Sequence, residues 1–286
     1  VYGGTKSTPT VTGNLGNGTV TYYYNTSNSN SGGTAWTNVT SSTSLNAGTY
    51  YMYAVIAATT NYNGATTATK AFTISKANGY VNLSATSGTI AYGGTNKTFT
   101  VASHHGGTLT ATETTSTGAA TSVSGTTVTI SSVSSLTAGT VVKIRVTSGT
   151  TTNYNAASAE YTLTIGKANI NPTVNMKDYD YAGTLSVPSV TGNLGNGTVT
   201  YYYNTTNSNA NGTLWSTVTS STSLNAGTYY MYAIISETAN YNGATTPTKA
   251  FTINSLPVIG SVTIGGVPMV NKTLAAMVSV DPEDCT

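Results

Sequence analysis

The chain repeats itself, and this constrains its architecture more than any single residue does. Residues 2–74 and 181–253 align without a gap at an offset of 179, with about four positions in five identical. Both copies carry Val-Thr-Gly-Asn-Leu-Gly-Asn-Gly-Thr-Val-Thr-Tyr-Tyr-Tyr, from Val11 and from Val190. Both carry Leu-Asn-Ala-Gly-Thr-Tyr-Tyr-Met-Tyr-Ala, from Leu45 and from Leu224. Between them lies a more distant relative that keeps Tyr92-Gly-Gly-Thr95, Leu136-Thr-Ala-Gly-Thr140 and Asn153-Tyr-Asn155. Self-similarity at a fixed period makes each unit one folding module. An array of near-copies also argues against one unique active site.

Lys76-Ala-Asn78 recurs as Lys167-Ala-Asn169 and marks the joints. The expected modules are 1–75, with its first strand missing, 76–166, a divergent copy, and 167–255, a close copy of the first. The start of a fourth module follows at 256–286. By the offset Val1 matches Asp180, so the first copy has no equivalent of Ile170–Tyr179. The sequence thus reads as a piece of a longer protein. The short joints predict an extended array of small domains, each with its own modest core.

Only 6% of residues are Asp, Glu, Lys or Arg, against roughly 25% in ordinary globular chains. Solubility therefore falls to Thr, Ser, Asn, Gly and Tyr. A net charge of +2, scattered along the chain, excludes the basic footprint of a nucleic-acid binder. Cys285 is the sole cysteine, so neither an intrachain disulfide nor a cysteine-based metal site is expected. No run of the sequence is long and apolar enough for membrane insertion of this segment.

Runs of four to eight residues rich in Thr, Val, Tyr and Ile alternate with Gly and Asn clusters, which predicts all-β sandwiches. Asn17-Gly18 and Asn196-Gly197 predict hairpin turns, because Asn-Gly favours positive φ. The sharpest local signal is Asn46-Ala-Gly48-Thr-Tyr50-Tyr-Met52-Tyr-Ala54. Its spacing resembles the tyrosine corner of immunoglobulin domains, with Met52 in place of the second core cysteine. Tyr50, Met52, Ala54 and Ile56 then face the core, and Tyr51, Tyr53 and Val55 face outwards. Tyr229, Met231, Ala233 and Ile235 repeat the inward set. The closing strands place Phe72 and Ile74 in the core. Trp36 and Trp215 occupy equivalent positions and read as core packing, with a ligand platform as the sharper alternative.

The middle unit has one extra residue between Ala-Gly-Thr and Asn-Tyr-Asn. Counting back from Asn153 aligns Val142, Ile144 and Val146 with the inward set and turns Lys143 and Arg145 to solvent. A one-residue slip exchanges the faces of a strand, so the insertion belongs near Val141. The cost is that this unit lacks the corner tyrosine.

Tyr-Gly-Gly-Thr, Ala-Gly-Thr-Tyr, Asn-Tyr-Asn-Gly and a closing Phe-Thr-Ile before Lys-Ala together resemble the bacterial immunoglobulin-like repeats of large secreted or cell-surface proteins, adhesin-type arrays among them. The resemblance covers nearly the whole chain. The tail Gly266-Val-Pro-Met-Val-Asn-Lys-Thr-Leu-Ala-Ala resembles the opening of another such repeat. It implies tandem immunoglobulin-like sandwiches in an extracellular, cell-surface setting. It does not choose a molecular function, because such repeats act as spacers, adhesive tips and enzyme accessories.

Residue types that carry chemistry are sparse. His104 and His105 are adjacent, and neighbours in a strand point to opposite faces, which disfavours chelation of one ion. The eight acids form no pair patterned for glycoside hydrolysis. Asp281-Pro-Glu-Asp284 has too few carboxylates at fixed steps for a calcium loop and reads as a solvated turn. Some bacterial surface domains of this kind form a Lys–Asn isopeptide beside a buried acid, for which Lys177 or Lys249 with Glu237 is the conceivable set here. No catalytic residue, metal site or cofactor is expected.

The leading expectation is a non-enzymatic structural or spacer segment that presents adhesive or other functional domains. The rival is a carbohydrate-binding adhesin module. In that reading Tyr23, Tyr51, Tyr53, Tyr202, Tyr230 and Tyr232 are exposed on sheet faces and stack on a cell-surface glycan, with Asn and Thr supplying hydrogen bonds. The bland reading of the same tyrosines is β-propensity. A third expectation is an immunoglobulin-like component of a virion or filament. Expected partners are a cell-surface glycan or protein ligand, flanking domains of a longer chain, and a strand-sharing neighbour subunit. In the last case 258–286 is the donor, with strands at 260–264 and 273–280.

Overall fold

A computed structural model describes residues 1–257, 262–265 and 275–278. Packing divides the chain into two units, Val1–Gly166 and Lys167–Thr286. Every named element among the described residues is a strand or a three-residue 3-10 turn. This follows from the sequence, where β-branched residues and tyrosines alternate between glycine and asparagine breaks.

The middle repeat is the most complete sandwich. One sheet orders Ala120–Ser124, Thr127–Ser131, Lys97–His104 and Val81–Leu83. The other orders Ser87–Ala91, Ala157–Gly166, Val141–Ser148 and Leu109–Glu113. Ser87–Ala91 runs parallel to Ala157–Gly166, and the remaining pairs are antiparallel. The first strand thus sits in one sheet and the second crosses to the other, an immunoglobulin-type division. The core lies between the sheets, where Phe99 stacks on Tyr161 with ring centroids 3.9 Å apart.

The middle repeat takes the register that turns Lys143 and Arg145 outwards. Val142, Ile144 and Val146 are fully buried, while Lys143 and Arg145 face solvent. The extra residue is absorbed just before Val141. Gly139, at φ +90°, donates its N–H to Ile165 O, and Ile165 N–H donates to Thr140 O. Two residues thus oppose one in a glycine bulge.

The outer repeats share one sheet design. In the third, Tyr179–Asp180, Lys249–Asn254, Gly227–Ile235, Val199–Asn204 and Thr213–Leu214 lie in that order, with Ala244–Thr245 also on Gly227–Ile235. Thr173–Asn175 and Ser189–Thr191 form a separate pair across the core. Met231, Ala233, Ile235, Phe251 and Ile253 are at most 1% exposed. In the first repeat Gly48–Ile56 pairs with Val20–Asn25 and with Lys70–Ile74 in the equivalent register. Tyr50 and Ala54 are buried there, but Met52, Ile56, Phe72 and Ile74 are only half-buried.

The tyrosine corner is formed as its spacing predicts. Tyr50 Oη donates to Asn46 O and Tyr229 Oη to Asn225 O, each at 3.0 Å. The Asn-Gly expectation needs correction. Asn17 and Asn196 do adopt positive φ, at 52° and 57°. The segments on either side do not pair as a hairpin, because Val199–Asn204 ladders with Gly227–Ile235 while Ser189–Thr191 ladders with Thr173–Asn175. The turn crosses between layers, braced by Asn193, whose side chain bonds both the N–H and the C=O of Gly197.

In the tail, Val262–Gly265 and Ala275–Val278 pair antiparallel with each other. Cys285 and Asp281-Pro-Glu-Asp284 lie outside the described residues, as does most of the segment expected to donate a strand.

Candidate functional site

The tyrosine-rich face of the outer repeats is the surface on which a ligand reading depends. Val20–Asn25 and Gly48–Ile56 pair with Tyr23 opposite Tyr53 and Asn25 opposite Tyr51. Side chains two apart share a face, so Tyr23, Tyr51 and Tyr53 lie together, away from Met52 and Ala54. Tyr23 and Tyr53 stack with centroids 5.4 Å apart and planes 17° apart. Tyr202 and Tyr232 do the same at 5.3 Å and 15°.

These rings are not a bare platform. The polar segment after Asn25 folds back over them. Asn25 Nδ2 donates to Ser29 O at 2.7 Å and to Ser31 O at 3.2 Å, and Asn30 Nδ2 donates to Thr67 O. Gly33 N–H donates to Tyr53 Oη at 3.0 Å. A Cβ on Gly33 would sit 2.8 Å from the Tyr53 ring, so only glycine lets the backbone lie so close. Tyr53 is 5% exposed as a result. Gly212 covers Tyr232 in the same way, with N–H to Oη at 2.9 Å, and Tyr232 is 2% exposed. Tyr53 and Tyr232 therefore do not stand open on the sheet as the alternation predicts. Tyr23, Tyr51, Tyr202 and Tyr230 are half-buried. The sequence signal for the covering loop was an Asn at the strand end with Gly eight residues later.

The tryptophans belong to the core. Trp215 is 8% exposed and meets Tyr203 and Phe251 edge-on at 6.0 and 5.8 Å. Trp36 meets Tyr24 and Phe72 likewise, and Lys6 Nζ lies 5.1 Å over its ring. Sequence reasoning missed a threonine that braces the central strand of each outer repeat, fully buried in the third and half-buried in the first. Thr246 is fully buried, accepts the Ala233 N–H at 2.9 Å and returns its own N–H to Ala233 O. Thr67 does the same for Ala54.

The two histidines differ from the opposite-face expectation. The strand ends at His104, so alternation fails at His105 and both rings approach Ser148, at 3.3 and 3.4 Å. His105 is 8% exposed. Its Nδ1 lies 3.0 Å from both Tyr80 N and Tyr80 O, and its Nε2 lies 2.8 Å from Gly149 O, so both ring nitrogens engage backbone. No carboxylate joins them, and among the described residues no group of three His, Cys, Asp or Glu could hold a metal. Glu237 does not meet Lys177 or Lys249. It pairs with Lys167 at 3.0 Å and stays 69% exposed, so the buried acid of an isopeptide site is not built there. Glu113 accepts from the Thr115 hydroxyl and N–H, and these bonds hold its carboxyl below the usual range.

Sheet order and tyrosine corner together define an all-β chain of tandem immunoglobulin-like sandwiches. No protein-family model matches the chain, and no curated protein matches it. Among solved structures, Sidekick-1 immunoglobulin domains 1–4 match 73% of this chain at 14% identity with a TM-score of 0.31. Sidekick-1 domains 1–5 match 94% at 13% identity and 0.30. Drosophila N-cadherin EC1-4 matches 82% of this chain and 68% of its own length at 8% identity and 0.25. The chain spans 58% and 61% of the two Sidekick-1 structures. Among the described residues no helix is long and apolar enough to cross a membrane.

Proposed function

We propose that the chain is a non-enzymatic structural segment of an extracellular, adhesion-related array, whose repeats carry other domains at a cell surface. The organisation in this reading is 1–75, 76–166, 167–255 and the start of a fourth module. One observation supports it most: residues able to bind or react are spent on internal structure. Tyr53 and Tyr232 are covered by their own loops, Trp215 is in the core, and both nitrogens of His105 engage backbone. The near-identity of the outer copies fits selection for a repeated spacer rather than for one site. The bacterial setting rests on the resemblance of the repeat motifs.

The test pairs two measurements on the whole chain. Pulling a single molecule from its ends should give separate unfolding events for the repeats, as expected of independently folded load-bearing modules. A glycan array should give no saturable binding. Glycan binding lost on replacing Tyr23 and Tyr202 with Ala would replace the spacer with the adhesin module.

A further inference from the structure

Motifs that recur in every repeat meet at one place, the joint Ser75–Asn78 between the first and second repeats. The joint runs along the second repeat's Asn153-Tyr154-Asn155 loop as a parallel bridge. Ala77 N–H donates to Asn153 O at 2.8 Å, and Asn155 N–H donates to Ala77 O at 2.9 Å. Lys76 Nζ donates to Thr151 O at 2.7 Å. The loop is itself braced. Thr151 N–H donates to Tyr154 O at 3.0 Å and Tyr154 N–H to Thr151 Oγ1 at 3.1 Å, while the Tyr154 ring lies against Tyr80 and His105.

From this loop one side chain crosses to the first repeat. Asn153 Oδ1 accepts the Ala47 N–H at 2.9 Å, and Asn153 Nδ2 donates to Asn46 Oδ1 at 3.0 Å. The Asn46 backbone carbonyl is already held by Tyr50 Oη, so the docked surface is the tyrosine corner itself. Beside it, Tyr2 meets the Tyr154 ring edge-on at 5.6 Å, and Tyr2 N–H donates to Ser75 O at 2.8 Å. The middle repeat is the divergent copy and has lost the corner tyrosine, yet it keeps Tyr92-Gly-Gly-Thr95, Ala138-Gly-Thr140 and Asn153-Tyr-Asn155. In the third repeat Lys167-Ala168 meets Asn240-Tyr241-Asn242 by the same exchange, Ala168 N–H to Asn240 O and Asn242 N–H to Ala168 O, both at 2.9 Å. Small and polar residues such as these add little apolar area to a core, so core packing does not account for their recurrence.

We propose that the corner Asn46-Ala47 is an interaction surface for the Asn-Tyr-Asn loop of the following repeat, and that Asn153 locks the first and second repeats into one rigid body. Domains joined by a short linker and a modest polar interface ordinarily move relative to each other. Here both backbone groups of Ala77 are spent on the loop, and the loop is fastened in turn to Asn46 and Ala47. A swivel about the Ser75–Asn78 torsions therefore breaks hydrogen bonds on one side of the joint or the other. The lock rests on the spacer reading for its purpose, since a segment that holds other domains apart needs stiff joints, but not for its geometry.

The test uses the whole chain carrying Cys285→Ser with Ser27→Cys and Ser124→Cys, two exposed positions that take spin labels, one in each repeat. Expected is a single narrow distribution of label distances, with slow hydrogen exchange at the Ala47 N–H, whose partner belongs to the other repeat. Asn153→Ala should broaden the distribution and speed Ala47 exchange about tenfold or more. Continued protection of Val142, Ile144 and Val146 checks that the second repeat of this variant folds. Asn46→Ala, made in the first repeat, should broaden the distribution less, because Ala47 keeps its partner. The double variant should be no broader than Asn153→Ala alone, as for two residues acting through one contact. A broad distribution in the chain with Asn153 intact, an unprotected Ala47 N–H, or an Asn153→Ala chain that keeps both the narrow distribution and the protection overturns the lock. Its failure is separate from that of the spacer. Broad distances with separate unfolding events on pulling remove the lock and leave the spacer, whereas narrow distances with saturable glycan binding support the lock and replace the spacer.

Discussion

Tyr229 Oη donates to the backbone carbonyl of Asn225 at 3.0 Å, four residues upstream on the same chain. The bond ties the loop before Gly227–Ile235 to the strand that carries Met231, Ala233 and Ile235 into the core. Tyr229→Phe keeps the ring against Phe251 and removes only this bond. The expected loss is about 1 kcal/mol of third-repeat stability. With Trp36→Phe as background, Trp215 fluorescence in a denaturant titration reads it.

Tyr179 makes the opposite case. It is 6% exposed, and its hydroxyl has no hydrogen-bond partner among the described residues. Removing a buried hydroxyl without a partner costs nothing and relieves its desolvation. Tyr179→Phe should leave stability unchanged or raise it by about 1 kcal/mol. A loss like that of Tyr229→Phe would show that the hydroxyl is bonded.

Thr246 is buried with its hydroxyl on the Ala233 N–H. Valine has the same shape but leaves that N–H unpaired in the core. Thr246→Val should cost about 1–3 kcal/mol, and Thr246→Ser should retain most of the stability. If the Ser variant is the more damaged of the two, methyl packing and not the hydrogen bond is what matters.

The bulge at Gly139 holds a positive φ of 90°. A side chain there is strained by about 1–2 kcal/mol. Gly139→Ala should speed hydrogen exchange along Val141–Ser148, whereas deleting Gly139 should shift the strand and drive Lys143 and Arg145 inwards. The deletion should therefore unfold the middle repeat, visible as loss of protection at Val142, Ile144 and Val146.

Alkaline stability follows from the buried tyrosines. Desolvation raises Tyr161 and Tyr201; it is also the main cause at Tyr50, reinforced by Tyr24, and at Tyr179, reinforced by Tyr229 and Tyr203. A folded-state value above the unfolded one means that the folded chain binds more protons at high pH. This contribution is complete below the ordinary tyrosine value of 10.0 and is lost as pH rises through the raised values. Thermal unfolding followed with tyrosinate absorbance should show the midpoint falling above that pH. Tyr161→Phe should flatten the fall for the middle repeat. Glu113 acts in the other direction, its contribution being lost as pH falls.

Sequence alone determined the repeat, the strand faces and the register. These follow from local spacing. Alternation of period two assigns each residue a side, and one inserted residue before Val142 has only one placement that keeps Lys143 and Arg145 out of the core. The tyrosine corner was legible for the same reason, since Tyr50 and Asn46 are four residues apart. Tertiary structure decided what lies over each face. Alternation puts Tyr53 outside the sheet but cannot say that Gly33 returns to cover it, because that contact is set by a loop closing over twenty residues. It puts Met52 inside but cannot say how deeply, and Met52 is half-buried where its counterpart Met231 is fully buried. Burial depends on which distant segment arrives: in the third repeat Val174 and Met176 pack with Met231 and Phe251, a contact that no alternation within Gly227–Ile235 foretells.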